Sequence, residues 1–351
     1  MFDYSKKITR FHDDHVTLTM SLRRDMKTRR DNNKKRIVDG LGELEKPSVI
    51  EWINQGGYAQ QTMTQPPEGD EESRYDIDMG AVFAEGESKT PTTTKNWVRD
   101  AIATKATNMK NDPVSKPKCV RVVYADGYQC DFPVFRTAPA TTEGYELAAG
   151  DTWVASDPKS MNAWIDERVL TLSPDSSGVC QLRQVIRLTK YFSKVKSFKK
   201  GLKYPSGLLA TAIAIECYTS SEGRLDHAFR ETLRCISLRS KYSAVFANGI
   251  QISDQKDADR IQRLIDSAKD AVSHLDGLED DVPDEEVARK AWKKVFQHSF
   301  FNETEFKSAA LAASGAAFGI SAGEQKAHAL SAASSMKNEG IASKPYASDY
   351  E

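Results

Sequence analysis

Two aspartates separated by one residue carry the clearest chemical signal in this chain. Asp76 and Asp78 lie in YDIDMGAVF, whose β-rich alternation predicts a strand. Residues two apart in a strand project to the same side, so the carboxylates converge while Ile77 and Met79 turn toward the core. Two adjacent carboxylates repel each other unless they are solvated or share a cation, and all-oxygen ligands favour Mg²⁺. The pair therefore indicates either a divalent-cation site or a charged edge strand at the surface.

A third aspartate, Asp131, lies on a later β-rich run. The runs CVRVVYA and YQCDFPVF flank Asp126-Gly127, and a two-residue Asp-Gly connection between such runs predicts a hairpin with positive φ at both turn positions. A carboxylate from a neighbouring strand would complete a platform for two cations about 3.5 to 4 Å apart, as used in phosphoryl transfer.

Paired glycines precede the Asp-x-Asp strand. The stretch NQGGYAQQT places Gly56 and Gly57 after the apolar Trp52 and Ile53 and before a helix-like stretch. Bare backbone N–H groups at such a start can hold phosphate oxygens. The order Gly-Gly, Asp-x-Asp and then a single Asp on a later strand is more specific than any of the three alone.

The remaining elements are mainly helical. Helical spacing of apolar residues predicts a long helix over Val16 to Leu41, another over Thr93 to Lys110, and several from Pro158 to Leu278. Ser206 follows a proline and could cap the second clear helix of that last range. Beyond Phe301 the composition drifts to Ala, Ser and Gly, which predicts a partly helical, mobile tail.

Composition excludes several classes of function. Lys+Arg 49 against Asp+Glu 50, with a pI near 6.6, gives no whole-molecule case for binding nucleic acid or an anionic membrane. The basic stretch Arg23 to Arg36 contains acidic residues and is interpreted as a solvated helix, so activation by nucleic acid is not expected. Five scattered cysteines support neither a disulfide framework nor a zinc knuckle. With no apolar signal segment in Met1 to Arg10, a cytoplasmic location is expected.

Taken in order, these motifs resemble the polymerase-β-like nucleotidyltransferase superfamily. Within it the chain is similar to the bacterial cGAS/DncV-like nucleotidyltransferases (CD-NTases), the cyclic oligonucleotide synthases of CBASS anti-phage systems. The resemblance covers about residues 10 to 300. It includes QGGYAQQTMTQP, YDIDMGAVF, CDFPVF, WVASDPKSMNAWI, LRQVIRLTKYF and YPSGLL.

The resemblance implies an α+β fold. We expect a nucleotidyltransferase palm with a mixed or antiparallel sheet, followed by a C-terminal helical domain like that of oligoadenylate synthases, in a bilobed protein with the active site in the cleft. The expected divisions are an N-terminal spine helix at 1–45, the palm at 46–157, the helical domain at 158–305 and an Ala/Ser-rich tail at 306–351.

Two departures from the family pattern affect the phosphate site. Many members have Gly-Ser where this chain has Gly56-Gly57, so backbone N–H groups or Gln55 would replace the serine. The 18 residues between Gly57 and Asp76 also form a longer loop than the compact motif has, although some dinucleotide cyclases of the family carry a similar proline-containing loop.

For the metal site, the resemblance implies that Asp76 and Asp78 bind two Mg²⁺ ions and that Asp131 completes the shell of one of them. Mn²⁺ would be a substitute.

For the nucleotide, it implies that Gln55, Gly56 and Gly57 lie along the donor triphosphate and that Lys190 and Ser206 contact its phosphates. Lys190 belongs to a run of lysines that could equally be a solvated face, and Ser206 could be only an N-cap.

The implied function is Mg²⁺-dependent synthesis of a cyclic di- or trinucleotide from ATP and further ribonucleoside triphosphates such as GTP, in anti-phage signalling. Alternatives are a linear oligoadenylate synthase or nucleotidyl-transferring toxin, and a catalytically silent nucleotide-binding scaffold. The resemblance also suggests CBASS accessory partners, including a ubiquitin-transfer-like enzyme acting on the C-terminal SKPYASDYE. No membrane partner is expected.

Overall fold

The computed structural model describes residues 2–71, 75–107, 109–138, 144–174, 179–278 and 284–302. The chain divides into two compact units, Asp3–Val272 and Met1–Phe2 with Ser273–Glu351. All of the predicted site residues lie in the first unit. The tail predicted at 306–351 lies outside the described residues, and the domain limits inferred from the sequence stay predictions.

The first unit contains a mixed eight-stranded β-sheet. Its strands are β1 (Glu51–Gln55), β2 (Tyr75–Phe83), β3 (Val114–Ser115), β4 (Val120–Val123), β5 (Tyr128–Phe132), β6 (Val134–Thr137), β7 (Tyr145–Ala149) and β8 (Thr152–Ala155). The order across the sheet is β3-β4-β5-β2-β6-β7-β8, and β1 also pairs with β2. Strand β2 is central because it pairs with three other strands, parallel with β5 and β6 and antiparallel with β1. The strand predicted from YDIDMGAVF is confirmed.

Helices alternate with the strands along the chain and continue after them, which makes the fold α+β with a helical C-terminal part, as predicted. They are α1 (Ser5–Phe11), α2 (Met20–Glu43), α3 (Gly56–Ala59), α4 (Pro91–Thr104), α5 (Pro158–Leu172), α6 (Gln181–Lys200), α7 (Gly207–Cys217), α8 (Leu225–Leu238), α9 (Ala258–Asp276) and α10 (Glu285–Phe296). A small hairpin of β9 (Phe246–Ala247) and β10 (Ile250–Gln251) interrupts the range predicted as helical. Among the described residues, no helix has the length and apolarity needed to cross a bilayer.

The hairpin that carries Asp131 is confirmed, but its turn differs from the prediction. Tyr124 N donates to Tyr128 O at 2.9 Å, so the loop has three residues, Ala125 to Gly127. In this loop Gly127 has positive φ (90°), whereas Asp126 does not. A three-residue loop with glycine in the left-handed region is the next most common hairpin connection after the two-residue turn. The extra residue shifts the register by one and places Arg121 opposite Asp131.

The two predicted N-terminal helices have different limits from those expected. A π-helical turn at His12–Val16 precedes α2, which begins after Thr19, whose hydroxyl accepts from Leu22 N at 3.3 Å. Helix α4 begins at Pro91 and ends at Thr104, short of the predicted Lys105–Lys110. The polar KATNMKNDP that follows has few apolar anchors and several residues that favour turns, which explains the early end.

Helix α6 is anchored from one side by an apolar cluster. Leu182 and Ile186 of α6 pack with Ile165 of α5 and Ala214 of α7, all with at most 1% of their surface exposed. Gly201 at φ 65° ends the helix in the left-handed conformation. The cluster fixes the rotation of α6 and therefore determines which residues its other faces present.

The second unit has a small aromatic core of its own. Trp292 and Phe296 of α10 stack at a centroid distance of 5.9 Å, and Phe296 stacks on Phe301 at 6.1 Å. Phe300 meets Phe301 edge to face at 5.0 Å.

Candidate active site

The three predicted aspartates converge. Asp76 and Asp78 project from the same face of β2, and β5 runs parallel beside it with Asp131 in register with Asp78. Each residue offers a carboxylate oxygen, and these three atoms lie within 4.8 Å of one another. The predicted meeting of the three side chains is therefore confirmed, while their roles in metal binding and catalysis stay predictions.

The opposite face of the same strands is apolar and holds them in place. Ile77 and Met79 of β2, with Cys130 and Phe132 of β5, have 0 to 2% of their surface exposed. Strand alternation thus commits one face to the apolar core and places the three carboxylates on the other face. A slip of one residue in either strand would turn an aspartate into the apolar core, so the register is strongly specified.

The carboxylates are held in an unfavourable electrostatic environment. Burial, followed by the nearby charge of Asp131, raises the pKa of Asp76 above its ordinary value. Burial, followed by the charges of Asp76 and Asp131, raises the pKa of Asp78 in the same way. Asp76 reaches solvent on one side, yet protein surrounds the rest of its carboxylate. A divalent cation between these groups would remove the repulsion.

Arg121 of β4 is a member of the site that sequence reasoning missed. Its Nε donates to Asp131 Oδ1 at 2.8 Å and its Nη2 to Oδ2 at 2.6 Å, which is a bidentate pair. The pair fixes the plane of the carboxylate and partly offsets the negative charge of the cluster. Counting residues outward from a three-residue loop would have found it, since only that register sets Arg121 against Asp131.

Gly56 permits close approach of the backbone to the aspartates. It has φ 64°, and a Cβ placed on it would lie 2.1 Å from Asp78 Oδ2. Any other residue would clash with the carboxylate and strain the backbone. The predicted helix-like stretch is a single turn, α3.

Lys190 reaches the second glycine from α6. A Cβ on Gly57 would lie 3.2 Å from Lys190 Nζ, which donates to Thr62 Oγ1 at 3.0 Å. A Cβ on Gly207, the first residue of α7, would lie 3.6 Å from Lys190 Cε. The lysine thus lies between the glycine turn and the start of α7. Burial, then the charges of Lys194 and Arg187, lowers its pKa to about 7.

Ser206 caps α7, as predicted, with its hydroxyl accepting from Leu209 N at 3.4 Å. The structure therefore brings Gly57, Lys190 and the α7 start together, and the phosphate roles of Lys190 and Ser206 stay predictions.

Gln55 lies differently from the other predicted phosphate contacts. A Cβ on Gly80 would be 2.7 Å from Gln55 Nε2, so the amide packs over β2 beyond Asp78. Its Nε2 is buried and has no hydrogen-bond partner within the described part of the chain. The side chain does not join Lys190 in this structure, and its role along the triphosphate stays a prediction.

The donor set fits a divalent cation such as Mg²⁺. Oxygens sharing one octahedral ion at about 2.1 Å are separated by about 3 to 4 Å, and the three carboxylate oxygens here all lie within 4.8 Å of one another. Three carboxylates are hard oxygen ligands, and two of them have raised pKa values that a cation would relieve. Asp76, Asp78 and Asp131 are the residues that would hold it.

Comparisons with known proteins match both the sequence and the fold. The family model for the nucleotidyltransferase domain of cyclic GMP-AMP synthase DncV-like proteins matches residues 50–135, which include all three aspartates. The cyclic GMP-AMP synthase of Escherichia albertii is 26% identical over 209 residues, covering 58% of this chain and 44% of that protein. The match thus spans less than half the length of this curated relative.

Solved structures show the same fold over most of the chain. Vibrio cholerae DncV cyclic AMP-GMP synthase, in complex with the linear intermediate 5' pppA(3',5')pG, has a TM-score of 0.65 and 14% identity, covering 86% of this chain and 98% of that one. CdnC of E. coli MS115-1 with ATP has a TM-score of 0.60 and 17% identity, covering 85% and 99%. Residues 50–135 thus match the nucleotidyltransferase domain of DncV-like proteins, and the chain shares the fold of solved structures of such synthases.

Proposed function

We propose that this protein is a Mg²⁺-dependent synthase that makes a cyclic di- or trinucleotide second messenger from ribonucleoside triphosphates, for anti-phage signalling in the cytoplasm. The observation that supports it most is the meeting of three carboxylates from β2 and β5 within 4.8 Å. Similarity to a synthase solved with a linear dinucleotide intermediate, and to a relative solved with ATP, supports nucleotide substrates.

The proposed reaction is nucleotidyl transfer. A ribose hydroxyl of the acceptor nucleotide attacks the α-phosphorus of the donor, forming one P–O bond while the α–β phosphoanhydride bond breaks. Pyrophosphate leaves and the hydroxyl proton is released. The last transfer, the second for a dinucleotide and the third for a trinucleotide, uses the triphosphate of the linear intermediate as donor, releases pyrophosphate and closes the ring. When bound, a pair of Mg²⁺ ions would lower the pKa of the attacking hydroxyl and neutralise charge on the phosphates.

The protein's own residues divide the work between the two substrates. Asp76 and Asp78 would hold the cations against the donor triphosphate. Asp131 would orient the acceptor hydroxyl toward the phosphorus, with its carboxylate fixed by the two hydrogen bonds from Arg121. Holding the reactants in line in this way supplies much of the rate enhancement in phosphoryl transfer.

The phosphate pocket would lie between the glycine turn and α7. Lys190 Nζ adjoins Gly57 and the first residue of α7, so it can donate to phosphate oxygens that enter there. Ser206 precedes the same helix start. In this chain Gly57 leaves room for the lysine where a serine side chain would crowd it.

The function is tested by incubating the protein with the four ribonucleoside triphosphates and Mg²⁺, then treating the products with phosphatase. We expect a resistant product whose mass equals that of a cyclic di- or trinucleotide. Asp78→Asn should make none, whereas Asp126→Asn, a change at the exposed tip of the Asp131 hairpin, should make normal amounts. Product formation by Asp78→Asn would rule out the proposed site.

The same assay separates the alternatives. A product that phosphatase degrades indicates a linear oligonucleotide synthase or a nucleotidyl-transferring toxin. Nucleotide binding with no turnover, even in a single-turnover experiment, indicates a silent scaffold.

We also propose that CBASS accessory proteins act with this synthase, including a ubiquitin-transfer-like enzyme that modifies its C-terminus. Intact mass measurement of the chain, produced together with its neighbouring genes, should detect the covalent adduct. An unmodified mass under those conditions would contradict this partner.

A further inference from the structure

Four cationic side chains lie in a stripe along one face of α6 and contact the chain segment at 61–64. Arg183, Arg187, Lys190 and Lys194 are spaced four, three and four residues apart, which places them on the same side of the helix. Each contacts the segment at 61–64, which follows the glycine turn. The helix and the segment therefore run side by side, and the stripe leads from the start of the helix toward the aspartates.

The first three cations have clear partners. Arg183 donates to Gln61 Oε1 and to Asp166 Oδ1, both at 2.9 Å, and Arg187 Nε donates to the Gln61 carbonyl at 2.9 Å. Lys190 belongs to the phosphate pocket described above. These residues tie the helix to the segment and to the glycine turn.

Lys194 differs from the other three. Its ammonium makes one hydrogen bond, to the Thr64 carbonyl at 3.3 Å, and the described residues give it no other hydrogen bond or ion pair. An ammonium has three donors, so two remain available. The side chain is exposed to solvent, which leaves these donors accessible to a ligand.

The electrostatic surroundings of Lys194 favour an anionic ligand. Protein around the ammonium lowers its pKa to about 8, and the charges of Asp76 and Asp70 only partly oppose this. The side chain therefore reaches solvent on one side, while the protein on its other side disfavours the charge of the ammonium. Such a group is more common at binding sites than on solvated surfaces.

Thr64 is held in place without Lys194. It pairs with Thr17 in an isolated β-bridge, and the neighbouring Gln65 N donates to Val16 O at 2.8 Å. The Gln65 side chain also donates to Thr17 O at 2.8 Å. The N-terminal turn therefore fixes the segment, and the long bond from Lys194 is not needed to hold it.

We propose that Lys194 binds phosphate oxygens of a second nucleotide, the acceptor, one helical turn beyond the donor phosphates at Lys190. Lys190 Nζ adjoins Gly57 and donates to Thr62, whereas Lys194 lies one turn further along α6 and donates to the Thr64 carbonyl, so the two ammonium groups reach different positions along the segment at 61–64. The Cβ atoms of residues four apart on a helix are separated by about 6 Å, so the two side chains can contact different phosphate groups. This assignment rests on the proposed function, because that reaction requires two nucleoside triphosphates at once.

The binding test uses inorganic tripolyphosphate with Mg²⁺, followed by isothermal titration calorimetry, so that neither base choice nor turnover enters. We expect two binding equivalents in the unmodified protein. Lys194→Gln should weaken one of them at least about tenfold, and Lys194→Arg should largely retain it. Lys199→Gln, on an exposed face of the same helix, is the matched control and should bind both equivalents normally. Unchanged binding by Lys194→Gln, or equal loss in Lys199→Gln, would overturn the proposal.

A kinetic test assigns the phosphate to acceptor or donor. The test compares each triphosphate acceptor with its monophosphate, ATP with AMP and GTP with GMP. The linear product is measured by mass spectrometry. The unmodified protein should prefer the triphosphate acceptor, and Lys194→Gln should lose that preference. An equal fall in rate with both acceptors would place the contact on the donor and contradict the assignment.

Two further outcomes separate this proposal from its premise. In the first, neither the unmodified protein nor any variant makes product, but tripolyphosphate binding depends on Lys194 as expected. The phosphate site then stands and the proposed function fails. If product forms and depends on Asp78, while Lys194→Gln matches Lys199→Gln in binding, only the Lys194 proposal fails.

Discussion

The carboxylates on β2 and β5 and the cations on α6 form the two halves of the proposed site, but they are positioned by different means. Strand register alone brings Asp78 beside Asp131, because the two strands pair directly. Lys190 and Lys194 depend on how α6 packs against the segment at 61–64, more than a hundred residues away in sequence. The first half is therefore local in the sheet, and the second is a product of tertiary packing.

In both halves the pKa is shifted toward the neutral form of the side chain, upward for the carboxylate and downward for the lysine. The pKa of Asp78 is raised and that of Lys190 is lowered to about 7, in both residues chiefly because burial disfavours the charged form. In the free protein, the positive charges on α6 do not fully offset the negative charges of the carboxylates. A ligand that carries both positive and negative charge, such as a metal-bound triphosphate, would satisfy both at once.

The largest expected effect comes from breaking the contact between the glycine turn and the carboxylates. Gly56→Ala places a Cβ 2.1 Å from Asp78 Oδ2, so one of them must move. We expect the rate of product formation to fall at least about a hundredfold, as expected when reacting groups shift by about 1 Å. Gly86→Ala, where nothing lies within 4 Å of the added atom, is the control. Comparable rates for the two variants would contradict the close approach.

A smaller effect is expected from loosening one carboxylate without removing it. Arg121→Gln loses the bidentate pair with Asp131, so we expect divalent-cation affinity to fall by about 10- to 100-fold. Arg99→Gln, which removes an exposed pair with Asp100, serves as the control. Titration with Mn²⁺ measures the affinity, and equal affinities in the two variants would show that Arg121 does not support the site.

Removing charge from either half should stabilise the ligand-free protein. In chelator and without phosphate, we expect Asp78→Asn and Lys190→Gln each to raise the melting temperature by about 2 to 4 °C near neutral pH. A lower melting temperature for either variant would show that the charge stabilises the empty site.

The two halves should respond to pH with opposite signs. A carboxyl whose pKa is raised by folding contributes stability that is present at acid pH and lost as pH rises from its usual value through the raised one. A lysine whose pKa is lowered to about 7 makes stability increase as pH rises from about 7 toward its ordinary value. Comparing each variant with the unmodified protein across pH 4 to 10 isolates these slopes; parallel curves would contradict the assigned shifts.

The smallest expected effect concerns Ser206, whose cap and phosphate roles can be separated. Ser206→Ala should cost about 1 kcal/mol of stability through the lost cap, which thermal unfolding would detect. Ser206→Asp keeps a good cap but adds negative charge beside the proposed phosphates, so stability should hold while nucleoside triphosphate binding weakens. Normal binding by Ser206→Asp would limit the residue to a capping role.

The strand-borne half could be predicted from the sequence because its rules are local. Alternation placed Asp76 and Asp78 on one face, and the Asp-Gly signal placed Asp131 on a hairpin strand. The loop has one residue more than predicted, however, and that single difference brings Arg121 rather than Val122 opposite Asp131. Such sequence patterns therefore identify the strands and the turn, but they do not determine the exact register of the two strands across that turn.

The helix-borne half was predicted only in part. Resemblance to the family indicated Lys190, but the surrounding lysines were open to interpretation as a solvated face. Lys196 is instead buried, with its ammonium 5.2 Å from the centre of the Phe192 ring. Lys194 faces Thr64 and the aspartates. Helical spacing identifies which lysines share a stripe, but only the packing of the helix shows what that stripe faces.

The most direct test of the account is Mn²⁺ binding, measured by electron paramagnetic resonance, in the unmodified protein and in Asp131→Asn. Asp131 comes from a different strand than the other two aspartates, so its contribution tests whether all three act as one site. We predict that Asp131→Asn binds Mn²⁺ much more weakly, whereas Asp126→Asn on the same hairpin binds it normally. Unchanged Mn²⁺ affinity in Asp131→Asn would contradict a shared metal site, and with it the proposed nucleotidyl transfer.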